Sequence, residues 1–181
     1  DKFAYFGNDL GSVYTKEKTT FTFWSPEALS VKVKLFATGS DNEQGAKVID
    51  ELPMNKTADN VWRLEYLGDH KNEYYTYIIN FKDKTVETVD IYAKAVGVNG
   101  NRGMIVDLKS TNPEGWDKDE NIFLNSPTDA IVWEVHVKDF SHSPSSGITE
   151  KNRGKYLAFC EHSTLYGEGV VPTCVDYLKN L

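Results

Sequence analysis

Between residues 19 and 89 the chain alternates apolar and polar positions in short runs, each stopped by turn residues. Phe21-Thr22-Phe23-Trp24 alternates and ends at Ser25-Pro26. Val31-Lys32-Val33-Lys34-Leu35-Phe36 repeats the period of two, which puts Val31, Val33 and Leu35 on one buried face. A turn cluster, Gly39-Ser40-Asp41-Asn42, follows. Three more runs come at residues 61–67, 74–81 and 85–89, the last two separated by Lys82-Asp83-Lys84. Short strands at this spacing, with no amphipathic helix between them, predict a mainly β fold, an antiparallel sandwich. No internal repeat is present.

The pattern changes after residue 91. Gly97-Val98-Asn99-Gly100-Asn101-Arg102-Gly103 holds three glycines at spacing three. It lacks the Lys-Ser/Thr and the following helix of a phosphate loop, so it predicts a turn leading into a strand at residues 104–108. Residues 109–128 are polar and turn-rich and form a connector, with Trp116 and Phe123 as anchors onto a neighbouring surface. Beyond it, Ala130-Ile131-Val132-Trp133-Glu134-Val135-His136-Val137 is nearly continuous in apolar residues, as a strand buried on both faces should be. A long polar loop leads to Val175, Leu178 and Leu181, which fall near one helical face. Strand, loop, helix opens a parallel α/β fold. One such unit cannot cover both faces of its strand, so this part is expected to be incomplete. The expected division is therefore 1–108, 109–128 and 129–181.

Composition narrows the possibilities. The net charge of −7 comes with lysines and arginines scattered among the acids, so there is no basic face for nucleic acid. No apolar run reaches the roughly 20 residues that a membrane span needs. There is no signal-peptide pattern, although a chain opening on Asp1 leaves localisation open. Cys160 and Cys174 read as two buried thiols. His70, His136, His142 and His162 make no ligand spacing, so neither a metal nor any other cofactor is assigned.

Several motifs resemble one family. Asp9-Leu10-Gly11-Ser12-Val13-Tyr14 and Thr19-Thr20-Phe21-Thr22-Phe23-Trp24-Ser25-Pro26 resemble the entry to the N-terminal sandwich of type I pullulanases, a carbohydrate-binding module of family 48 with an immunoglobulin-like early-set fold. Asp90-Ile91-Tyr92-Ala93-Lys94-Ala95-Val96-Gly97-Val98-Asn99-Gly100, with residues 103–108, resembles the segment that closes it; Ile91 stands where the family more often has Pro. Residues 129–141, 154–159 and 176–178 resemble the first strand, loop and helix of the glycoside hydrolase family 13 barrel.

The resemblance implies a parent enzyme that hydrolyses α-1,6 bonds of pullulan, starch or glycogen with retention, on a (β/α)8 barrel of which this chain holds only the truncated start. A full barrel takes roughly 250 residues. The family's nucleophile Asp, acid Glu and second Asp sit on later strands, so no catalytic residue is assigned here. Glu134 and Asp139 read as strand-end hydrogen-bonders and solvated charges, and the chain alone is expected to be inactive. Glycogen-binding relatives carry exposed Trp residues in two loops. The matching stretches here, residues 38–44 and 82–87, contain no aromatic. That leaves Trp24 and Trp62 as the candidate carbohydrate-binding residues, on strand positions that also suit core or barrel-facing packing, and predicts that β-cyclodextrin or maltoheptaose binds weakly or not at all. The expected partners are α-glucan, the remainder of the barrel, and a second copy of the chain paired through the uncovered strand. Two alternatives remain, a stand-alone α-glucan-binding sandwich and the front of an isoamylase or branching enzyme. The His136-Val137-Lys138-Asp139-Phe140 string and the 96–103 loop speak against the latter.

Overall fold

The computed structural model describes residues 3–181, which fall into two compact units divided between residues 119 and 120.

The first unit consists of two antiparallel sheets. One contains, in order, β1 (Gly11–Tyr14), β2 (Lys18–Trp24), β6 (Val61–Leu67) and β5 (Asn55–Lys56). The other contains β4 (Val48–Pro53), β3 (Ser30–Phe36), β7 (Tyr74–Asn80) and β8 (Thr85–Thr88), with β9 (Gly103–Met104) also paired to β7. The register explains the core. Val31, Val33 and Leu35 lie opposite Ile79, Tyr77 and Tyr75, and Phe21 lies opposite Leu64. Side chains of period two thus line the facing surfaces of both sheets. The layers meet through aromatic rings, with Phe21 edge-on to Tyr75 at 4.9 Å and Phe23 against Tyr77 at 4.3 Å.

The five alternating runs are all strands. Three further strands have no such signal. β4 is an edge strand with little burial, so its Val-Ile-Asp-Glu-Leu-Pro sequence need not alternate, and Pro53 is tolerated at its end. β5 has two residues and β1 four. The expected strand at 104–108 shrinks to β9. Ile105 exchanges backbone bonds with residues 72 and 73, and then Asp107 caps the single helical turn Leu108–Thr111.

The glycine string has a packing explanation. A Cβ on Gly97 would lie 2.6 Å from Gly39 Cα, and one on Gly103 would lie 2.8 Å from the Tyr75 ring. Gly100 instead supplies a left-handed turn at φ +70°. The loop is fastened by buried Arg102, which donates to the Thr38 carbonyl at 2.9 Å, pairs with Asp41 and lies 3.7 Å over the Phe36 ring.

The second unit has two short helices, α1 (Val137–Ser141) and α2 (Cys174–Leu178), joined by turns. Its core is Ile148, Ala158 and Cys174 with Phe140, whose ring stacks on Phe159 at 4.3 Å. Glu161 closes the loop by accepting from the Thr149 N–H at 2.9 Å and from Asn152 at 2.6 Å.

Here three expectations need correction. Residues 130–136 form no strand, and His136 is already the residue preceding α1. A strand needs neighbours for its N–H and C=O groups, and this unit pairs none with it. Ile131 and Val132 are accordingly 83% and 88% exposed. Cys160 is exposed while Cys174 is buried, both as free thiols. Trp116 and Phe123, read as anchors, are also exposed.

Candidate functional site

The two candidate tryptophans have opposite surroundings. Trp62 faces the core and is 5% exposed. Its indole N–H donates to the Ser25 carbonyl at 2.9 Å, and the Lys56 ammonium lies 5.4 Å from its ring centre. Trp24 ends β2 and is 42% exposed, with its N–H donating to the Phe3 carbonyl at 2.9 Å. The strand's alternation puts it on the outer face with Thr22.

Trp24 forms part of a groove of about 460 Å³. One wall is Trp24 with Ile91 and Tyr92, and the other is the segment carrying Phe3, Tyr5 and Leu10. That segment is held on the outer face of the β1-containing sheet by three side chains. Arg63, opposite Thr22 in the ladder, donates to Asp9 Oδ2 at 2.6 Å, to the Tyr5 hydroxyl at 2.9 Å and to Thr22 Oγ1 at 3.1 Å. The Tyr5 hydroxyl in turn donates to Asp9. The Arg63 hydrogen bond, joined by that of Tyr5, holds the Asp9 carboxyl below its ordinary range. The same bonds raise Tyr5 and Arg63, in each case chiefly through Asp9.

The opposite wall is positioned from the core. Buried Asp90 accepts from the Tyr92 N–H at 2.9 Å and from the Tyr75 hydroxyl at 2.7 Å. Gly11, at φ +99°, lets β1 pass close to Tyr92: a Cβ there would sit 3.0 Å from the Tyr92 Cβ. Tyr92 and Asp90 were legible as parts of one motif. The Tyr5–Asp9–Arg63 cluster was not, because 54 residues separate the ion pair: Asp9 opens one motif, Arg63 lies in an alternating run, and nothing local joins them.

The second unit holds a wider groove of about 800 Å³ lined in part by Trp133 and Tyr177, whose rings contact each other at 5.7 Å. Glu134, His136 and Asp139 lie exposed along it, and His136 approaches Asp139 at 3.4 Å. Among the described residues no three His, Cys, Asp or Glu side chains converge as a metal site would require, and no helix is long and apolar enough to cross a membrane.

An antiparallel sandwich with an exposed aromatic groove has the architecture of a binding or supporting module. Residues 9–93 match the family model of carbohydrate-binding module 48, the isoamylase N-terminal domain. The chain as a whole is homologous to the part of pullulanases that carries this module. It is 35% identical over 181 residues to the pullulanase of Bacillus subtilis (strain 168), a match that covers all of this chain and 23% of that protein. Its structure superposes on pullulanase from Bacillus acidopullulyticus with a TM-score of 0.85 and 42% identity, covering 98% of this chain and 21% of the other. It also superposes on the Paenibacillus barengoltzii pullulanase complexed with maltohexaose and alpha-cyclodextrin, with a TM-score of 0.83 and 41% identity over 98% of this chain and 26% of that one. The chain thus spans a quarter or less of the first two relatives.

Proposed function

We propose that this chain is the front portion of a pullulanase-type debranching enzyme. In this reading residues 1–108 form the sandwich, 109–128 the connector, and 129–181 the first strand, loop and helix of a glycoside hydrolase family 13 barrel. The observation that carries the proposal is the match along the full 181 residues, which runs past the sandwich through the second unit. A sandwich-only likeness would support no more than a binding module.

The parent enzyme then hydrolyses α-1,6-glucosidic bonds in pullulan, starch or glycogen. In retaining hydrolysis two carboxyl groups about 5 Å apart serve as nucleophile and acid, and the resemblance assigns both to strands beyond those contained here. The part played by this chain is to support the barrel and engage α-glucan. The exposed apolar side chains of residues 131–133 would be covered once neighbouring barrel strands pair with them. That pairing also accounts for the sequence reading as a doubly buried strand although it forms none in this unit.

The full gene product, assayed on pullulan and on linear amylose, should release reducing ends from pullulan. Release from amylose alone, or from neither, would overturn the proposal. The purified 181-residue chain should release none from either.

A further inference from the structure

We propose that the groove between segment 3–10 and Trp24–Tyr92 is an α-glucan subsite, and that the Asp9–Arg63–Tyr5 cluster is the positioning device that holds one of its walls in place. The inference rests on the glucan-handling reading above and adds the location and the construction of the site.

The size is suitable: about 460 Å³ falls within the range of small-ligand sites, roughly 300–1,000 Å³. The chemistry also suits a neutral, polyhydroxylated chain. Trp24 and Tyr92, 42% and 45% exposed, offer apolar ring faces to the C–H face of a pyranose. On the facing segment Tyr5 lines the groove, and its hydroxyl is the polar side-chain group there, held from behind by the mutually neutralising Asp9–Arg63 pair. A charged ligand would meet no charged side chain in this lining. The loops that carry tryptophan in glycogen-binding relatives lack aromatics here, and this groove supplies ring faces from a different part of the sandwich.

The positioning role follows from the connectivity. Segment 3–10 reaches the body of the sandwich through the Trp24–Phe3 hydrogen bond and through the Asp9 and Tyr5 bonds to Arg63. With Asp9→Asn, Arg63 keeps Thr22 but loses its counter-charge, and the wall is no longer drawn onto the sheet.

The test titrates the purified chain with maltoheptaose by calorimetry and by tryptophan fluorescence, alongside acrylamide quenching of Trp24, isolated as the difference from Trp24→Phe. Saturable binding should weaken roughly tenfold in Trp24→Ala and in Tyr92→Ala, the loss of one ring contact. It should weaken severalfold in Asp9→Asn, recover in part in Asp9→Glu, and stay unchanged in Lys47→Ala, beyond the opposite end of β3. Trp24 should be more open to acrylamide in Asp9→Asn at temperatures where circular dichroism shows an intact fold. Binding that persists in both Trp24→Ala and Tyr92→Ala would overturn the groove while leaving the glucan reading intact. Trp24-dependent binding that ignores Asp9→Asn would overturn the positioning role. No binding at all would overturn the subsite, and the pullulan assay of the gene product would still judge the enzyme reading separately.

Discussion

The Tyr75 hydroxyl donates to Asp90 Oδ2 at 2.7 Å, tying the centre of the core sheet to the segment that presents Tyr92. Tyr77 approaches the same oxygen at 3.4 Å, and both phenols are buried in the core with the carboxylate. Removing the acceptor leaves buried donors without partners, which is worth about 1–3 kcal/mol. Asp90→Ala should therefore destabilise the sandwich by about 2–3 kcal/mol and Tyr75→Phe by about 1 kcal/mol. Urea unfolding followed by near-ultraviolet circular dichroism checks both. Equal losses in the two variants would show that the carboxylate is not the shared acceptor.

The same pair sets the alkaline limit of stability. Burial first, and the Asp90 charge second, push Tyr75 and Tyr77 above the ordinary phenol value of about 10. A group whose folded pKa is raised adds stability that is complete below its unfolded pKa and is lost as pH rises towards the folded one. Stability should fall from about pH 10 upward. Absorbance at 295 nm should show two of the ten tyrosines ionising only with unfolding. Early, reversible ionisation of all ten in the native state would contradict this.

On the acid side the sign reverses. Asp9 is held low by Arg63 and Tyr5, and Glu161 is held low by Thr149 and Asn152. Depressed carboxyls add stability above their ordinary pKa that is lost as pH falls through the folded value. Asp9→Asn should flatten the acid limb of the unfolding curve of the first unit, and Glu161→Gln that of the second. Both groups are open to solvent, so salt should weaken each effect. An acid limb unchanged in Asp9→Asn would show that the cluster contributes nothing to stability.

The glycine string should respond unequally to substitution. Gly97→Ala drives a methyl group against Gly39 backbone atoms at 2.6–2.7 Å and should cost about 1–3 kcal/mol by overpacking. Gly100→Ala meets no atom within 4 Å and should cost only the left-handed backbone penalty of about 1–2 kcal/mol. Thermal melts of the two variants, with Gly97→Ala also loosening the Arg102 contacts in exchange experiments, provide the comparison. A Gly97→Ala protein as stable as the parent would refute the close approach.

The exposed apolar residues of the second unit should drive self-association. Ile122, Phe123, Ile131 and Val132 are each at least 83% exposed, and residues 131–135 lie outside any strand or helix. Both are templates for another chain. Light scattering should show concentration-dependent association, reduced in the double variant Ile131→Lys, Val132→Lys. A monomer at every concentration would remove the expectation.

The sequence by itself determined which faces of the strands are buried. A two-residue period is a local signal, and Val31, Val33 and Leu35 display it without reference to anything distant. It also carried the resemblance to pullulanases in short motifs such as residues 90–100, where the pattern lies within one stretch. It could not separate Trp24 from Trp62, since both are tryptophans on strands and only the stacking of two sheets buries one and exposes the other. Nor could it show β4 and β5, whose edge positions remove the burial that would impose a pattern. The Asp9–Arg63 pair, the Gly97–Gly39 approach and the Tyr75–Asp90 bond were decided by tertiary structure alone. Each depends on bringing together atoms from separate segments, and packing selects such pairs without leaving a period in the chain. The run at residues 130–137 is the converse case. Its apolar residues read as a buried strand, but a strand is a property of its neighbours, and within this unit none is there to pair with it.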